Sequence, residues 1–156
     1  MARLAEVTTY KNTILSNLIQ NEDIVKALYS KEPNFLDSST PVDAKSLLFT
    51  NIFPYAYIPN SQETQEAYIT VLFKFRRYNN AIKVGRVCFY VFAHKDLLKT
   101  DYPWLRTDYI INKIEEMFNR SRDLGIGKLE FREMEDVKVS DYHSGSYIIY
   151  EDMSFN

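Results

Sequence analysis

A chain of 156 residues, 46% hydrophobic and 26% charged, has the length and composition of one soluble globular domain with a core of its own. Its formal net charge of −2 argues against a nucleic-acid binder held by bulk electrostatics, and its single cysteine excludes an internal disulfide. No stretch approaches the length of a membrane span. Met1 to Gln20 carries Glu6 and Lys11 and lacks the continuous apolar core of a signal peptide, so the chain is expected to be made and kept in a reducing cytoplasm. Aromatic residues are frequent, with 12 Tyr and 10 Phe, and tyrosine is enriched where a protein face meets a partner.

Residues 3–20 predict a helix with Leu4, Val7, Ile14, Leu15, Leu18 and Ile19 on one side. Asn21, Glu22 and Asp23 provide a cap and an acidic first turn for a second helix through Tyr29, which Lys31-Glu32-Pro33-Asn34 ends. Asp37 to Pro41 reads as loop. Thr40 as cap and Pro41 at the first helical position then predict a helical turn through Phe49. Ile52-Phe53-Pro54-Tyr55-Ala56-Tyr57-Ile58-Pro59 is aromatic and twice broken by proline, which predicts an extended edge segment or arm. Asn60 to Gln65 is polar loop.

Tyr68 to Tyr78 predicts a strand with Ile69, Val71, Phe73 and Phe75 on one face. Asn79-Asn80 suits a hairpin turn, and Lys83 to Ala93 returns with Val87, Phe89, Val91 and Ala93 on one face. Pro103 to Asp108 opens a helix running to Asn119. Ile110, Ile111, Ile114, Met117 and Phe118 form its apolar stripe, with Asp108, Asn112, Glu115, Glu116 and Asn119 opposite. Gly125 reads as a helix C-cap and Gly127 as the turn into the next strand. Lys128 to Ser140 and Ser146 to Phe155 predict a last hairpin, joined around Asp141 to Gly145. The expectation is one α+β domain over 1–156, with N-terminal helices in 1–30, an arm in 50–60 and a sheet-and-helix core in 66–156. Its antiparallel sheet has about four strands, with one helix packed across it.

Few residues speak of chemistry. His94-Lys95-Asp96 follows a strand, but no serine or cysteine stands in a nucleophile motif, so the triplet reads as a solvated strand-end cluster. Two scattered histidines and one cysteine have no metal-ligand spacing, and Cys88 within its strand reads as a small packed side chain. No catalytic residue, metal site or cofactor is expected. Arg76, Arg77, Lys83 and Arg86 make a basic end to the first hairpin, while Glu130, Glu133, Glu135, Asp136 and Asp141 make the last one acidic. Each set suits a solvated hairpin; together they also suit head-to-tail association of copies. Arg106 stands unfavourably at a helix start, which hints at a partner carboxylate.

Arg106-Thr107-Asp108-Tyr109-Ile110-Ile111, then Phe118-Asn119, Gly125-Ile126-Gly127-Lys128-Leu129, and Tyr142 and Gly145 before a closing strand resemble the small neck proteins of tailed bacteriophages. These are the tail terminators and head–tail joining proteins. Ile52 to Tyr55, Tyr68-Ile69 and the order of elements fit the same resemblance, which covers nearly the whole chain. The two N-terminal helices depart from the smallest terminators. The resemblance implies a non-enzymatic virion protein, assembled in the host cytoplasm. It would form a ring, often a hexamer, that caps the tail tube and docks it to the head connector. DNA would pass through the lumen without sequence recognition, and no membrane would be involved. Phe53, Tyr55 and Tyr57 would then anchor a subunit or partner interface, with Arg76, Arg77, Arg106, Glu133 and Glu135 as its charged members. Rival readings are a different neck or connector ring protein, a small α+β enzyme or ligand-binding domain at His94, and a module that pairs through an exposed strand edge.

Overall fold

Apolar residues three and four apart give a helix one apolar face, and alternate apolar residues give a strand one apolar face. The fold is the way these two kinds of face bury each other. The computed structural model of the chain describes residues 4–41, 43–59, 64–78, 81–119 and 128–152. In chain order they form α1 (Leu4–Gln20), α2 (Glu22–Tyr29), two short 3-10 turns (Phe35–Asp37 and Ala44–Leu47), β1 (Ile52–Phe53), β2 (Ala67–Tyr78) and β3 (Ala81–His94). Then follow α3 (Lys95–Leu98), α4 (Arg106–Phe118), β4 (Leu129–Lys138) and β5 (His143–Asp152). The class is α+β.

The strands make one sheet in the order β1-β2-β3-β5-β4. β2, β3, β5 and β4 are antiparallel neighbours, which accounts for the four strands expected from the sequence. The proline-broken arm supplies a fifth: Ile52 and Phe53 run parallel to Ile69 and Thr70, and the sheet is therefore mixed. β2 and β3 pair as far as Tyr78 with Ala81, whereas the described pairing of β3 with β5 reaches only Arg86 with Glu151. Among the described residues, the pairing of β2 with β3 therefore extends further than that of β3 with β5.

One face of the sheet carries the helices. Val87, Phe89, Val91 and Ala93 of β3 are fully buried there beneath Ile110, Ile111, Ile114 and Phe118 of α4, and Phe89 stacks on Phe118 at 5.1 Å. α1 adds Ile14 and Leu18, and α2 adds Ile24, Ala27 and Leu28. Each Val, Leu, Ile or Phe among them contributes roughly 1.5–3 kcal/mol by leaving water. Asn21 caps α2 by accepting from the Ile24 amide at 3.1 Å.

Several boundaries differ from the sequence expectation for local reasons. α4 starts at Arg106, not Pro103, because the Thr100 hydroxyl donates to the Trp104 carbonyl at 2.7 Å and folds 100–104 into a turn outside the helix. Asp43, not Thr40, caps the turn at Ala44–Leu47, and Phe49 ends it with φ at 65°. Gly145 lies inside β5, opposite Phe92, not in the connecting loop. A Cβ there would stand 1.9 Å from the Val91 carbonyl oxygen, so only glycine lets β3 and β5 approach. Glu115, placed by its spacing opposite the apolar stripe, accepts the Tyr150 hydroxyl at 2.5 Å. The turn residues Asn79-Asn80, the Gly125-Ile126-Gly127 break and the end of the last strand at Phe155 lie outside the described residues.

Candidate assembly interface

The second face of the sheet has no helix on it among the described residues. The arm covers one end, where Phe53 stacks on Tyr57 at 3.9 Å and both rings reach Tyr68 at 6.3 and 5.6 Å. Phe53 is thus 3% exposed and packs with Tyr68 and Phe92 in a small second core. Phe53 cannot anchor a partner, as the sequence suggested, because parallel pairing with β2 directs it inward. Tyr57 is half-buried and Tyr55 is exposed. The apolar groups that the arm region presents are instead Tyr55 at 48%, Phe49 at 60% and Ile58 at 62% exposure. Phe49 stacks on Tyr55 at 6.4 Å from a left-handed backbone position that a bulky residue rarely holds. The alternation rules that found the strands say nothing of such a position.

Beside the arm runs an apolar groove of about 300 Å³, bounded by Tyr57, Ile58, Leu72, Tyr90 and Val137. Past it Tyr90 stacks on Tyr147 at 5.5 Å, and the Tyr147 hydroxyl donates to Glu135 at 2.7 Å. That carboxylate holds the Tyr147 phenol up at about 12.

The charged groups fall at two flanks. Arg76 and Arg77 stand on the far part of the first hairpin, at the positions opposite Lys83 and Ile82. Glu133 and Glu135 are exposed on β4, the edge strand at the other side of the sheet. Neither glutamate has an ion pair among the described residues, whereas Glu151 beside them is held by Arg86 at 3.1 Å and Arg132 at 3.7 Å. Phe131 and Met134 of β4 are 47% and 43% exposed. Between β4 and the start of α4 lies a cleft of about 440 Å³ lined by Asp108, Asp136, Leu98 and Leu105. Burial, and secondly Asp136, push the Asp108 carboxyl above its usual range.

Arg106 does not belong to this surface. It is 1% exposed, and its guanidinium donates to the carbonyls of Leu97, Ala27, Ser30 and Glu32 at 2.7–2.9 Å, over the Phe35 ring at 4.8 Å. The carboxylate expected from the sequence is replaced by main-chain carbonyls of the end of α2, of the segment after it and of α3. Desolvation lowers its pKa to about 10.

His94 is likewise not a solvated strand end. It is 3% exposed, accepts from the Asp96 amide through Nδ1 at 3.1 Å, and so caps α3. β3 and β5 bring it directly opposite His143, with ring centroids 5.4 Å apart. His143 is 1% exposed and bonds the Thr64 carbonyl and the Ser140 hydroxyl. Burial, and to a lesser extent His94, lower its pKa against the Thr64 bond. The two histidines are 49 residues apart in sequence, so only the strand order could have joined them. Burial pushes the Cys88 thiol up to about 11, despite Arg86. No group of three or more metal-ligating side chains occurs among the described residues, and no helix there is long and apolar enough to cross a membrane.

Comparison with known proteins gives one finding of kinship: residues 21–151 match the family model described as YomW. No curated protein and no solved structure matches the chain.

Proposed function

The chain belongs to the YomW family, and we propose that it is a non-enzymatic assembly subunit that closes into a homo-oligomeric ring. The ring is of the kind formed by the tail terminators and head–tail joining proteins that the sequence resembles. The observation that carries this reading is the placing of two unlike patches on opposite flanks of one sheet. The basic end of the β2–β3 hairpin lies to one side of the sheet's order, and an acidic edge strand closes the other. A contact between unlike patches is heterologous, and repeated through a closing rotation it makes a ring. The exposed Phe49, Tyr55 and Ile58 on the arm add apolar area for the tail tube or the head connector. On this reading the protein resides in the virion neck. A chain of net charge −2 would let DNA slide through the lumen without holding it.

An enzyme at His94 receives less support, because the Nδ1 atom there caps α3 and the ring is enclosed. Light scattering with negative-stain imaging of the purified protein, and imaging of assembled particles, test the proposal. Rings in either preparation support it. A two-fold dimer, or a protein placed outside any ring in the particles, overturns it.

A further inference from the structure

We propose that copies of this chain join through their main chains, the free edge of β4 in one copy taking the end of the β2–β3 hairpin of the next as an added strand. The inference rests on the ring reading above and supplies its mode of contact. β4 is the last strand in the sheet and pairs only with β5 over Leu129–Lys138, so its other edge has no strand among the described residues. The direction of its amides follows from two bonds. The Val139 N–H donates to the His143 carbonyl at 3.0 Å and so faces β5. In an antiparallel pair, alternate residues face the partner, which turns the N–H groups of Met134, Asp136 and Lys138 outward. Phe131, beyond the irregularity between Phe131 and Glu133, also turns its N–H outward, and Asn119 at the end of α4 takes it at 3.0 Å. Asn119 thus covers the beginning of this edge, and no strand among the described residues covers 134–138.

An open edge is a template for another strand, and proteins that stay alone blunt it with charged side chains, proline or a bulge. β4 has its irregularity before Glu133 and carries Glu133, Glu135, Asp136 and Lys138 beyond it, with no proline, so the edge discourages an acidic or apolar strand and admits a basic one. The opposite edge of the sheet is β1, only two residues long, and offers no comparable template.

The occupant is identified by charge on both faces. On one side of β4 stand Glu133 and Glu135, and on the other Asp136, with Asp108 across the cleft. A strand that fits must carry cations at consecutive positions, because neighbours in a strand belong to opposite faces. Arg76 and Arg77 are such a pair, and the outer edge of β2 beyond Thr70 has no strand among the described residues. The same addition covers Phe131 and Met134, the two large apolar side chains that β4 exposes.

Mixing variants with one introduced cysteine each, in a chain whose Cys88 is replaced by Ala, tests this. Arg76→Cys protein mixed at high concentration with Glu135→Cys protein and oxidised should give the mixed disulfide dimer. Its yield should exceed that of Arg76→Cys with Asn112→Cys, on the exposed side of α4, by about tenfold. Met134→Pro removes one outward N–H without changing charge and should lower the Arg76–Glu135 yield about tenfold. Met134→Ala should leave it high. Circular dichroism and melts establish that the variants fold; if Met134→Pro does not, the contrast between positions 135 and 112 decides alone. Equal crosslinking at both positions, or a folded Met134→Pro with undiminished yield, overturns the inference. Rings that form normally from Met134→Pro protein would sink the edge contact and leave the ring reading standing. Crosslinking at 135 without rings would do the reverse.

Discussion

A buried guanidinium costs several kcal/mol of desolvation unless its donors are satisfied, and Arg106 satisfies them with carbonyls alone. It ties the end of α2, the segment after it and α3 to the start of α4. Arg106→Ala should therefore cost about 3 kcal/mol or more in a urea melt, and Arg106→Lys should rescue little, since one ammonium cannot span that fork. A lysine variant as stable as the parent would refute the clip. Glu115 and Tyr150 make a second long-range tie. Glu115→Ala leaves a buried hydroxyl without its acceptor and should cost about 1–3 kcal/mol. Ile114→Ala beside it should cost about 2–5 kcal/mol through the cavity. In a double-mutant cycle with Tyr150→Phe, the Glu115 loss should largely vanish; additive losses would mean that the two groups do not interact. His143 sets the response to acid. Its folded pKa lies below the unfolded value near 6.5, so the unfolded chain binds the extra proton first. Stability is complete above that value and falls as pH drops below it. His143→Gln should flatten that limb of a stability-against-pH curve measured from pH 8 to pH 5, and an unchanged slope would remove His143 as its source.

At the scale of elements, periodicity made the core legible and side-chain geometry decided the rest. Ile110, Ile111, Ile114 and Phe118 of α4, Ile69 and Val71 of β2, and the four β3 residues are buried where their spacing put them, with Met117, Phe73 and Phe75 partly buried beside them. Helix starts were misplaced where a local hydrogen bond competed with a general preference, as at Thr100 and Asp43. The residues proposed for the interface are only partly legible in the sequence. Exposure of Tyr55, Glu133 and Glu135 agrees with a surface role, but Phe53 and Arg106 turn inward for reasons of strand pairing and carbonyl capping that no spacing rule contains. Gly145 was read as loop because glycine commonly marks turns, whereas its work is to let two strands touch. Gly145→Ala should accordingly lower stability by more than about 3 kcal/mol and loosen amide protection along β3 and β5. A melt within error of the parent would show that the contact relaxes cheaply.

For the molecule as a whole, the question is whether the two charged flanks recognise each other across copies. Exposed ion pairs are worth only about 0.2–1 kcal/mol each, so charge alone does not hold a ring. Like charges brought together at a docked surface cost several kcal/mol, which makes reversal a sharper probe than removal. Arg76→Glu with Arg77→Glu sets glutamates against Glu133 and Glu135 of the neighbour and should reduce incorporation into particles by more than about tenfold. Glu133→Lys with Glu135→Lys should do the same by itself. Combined in one chain, the two reversals restore attraction on the Glu133 and Glu135 side of β4 and should recover a large part of the loss. The recovery is incomplete because Asp136 and Asp108 keep their sign on the other side of β4. Salt should soften the single-sided defects, since partly exposed charges are screened over about 8–10 Å at ordinary ionic strength. Quantifying the protein in purified particles reads all of these. A combined variant no better than the single-sided ones would separate the hairpin from β4 and require another partner for each.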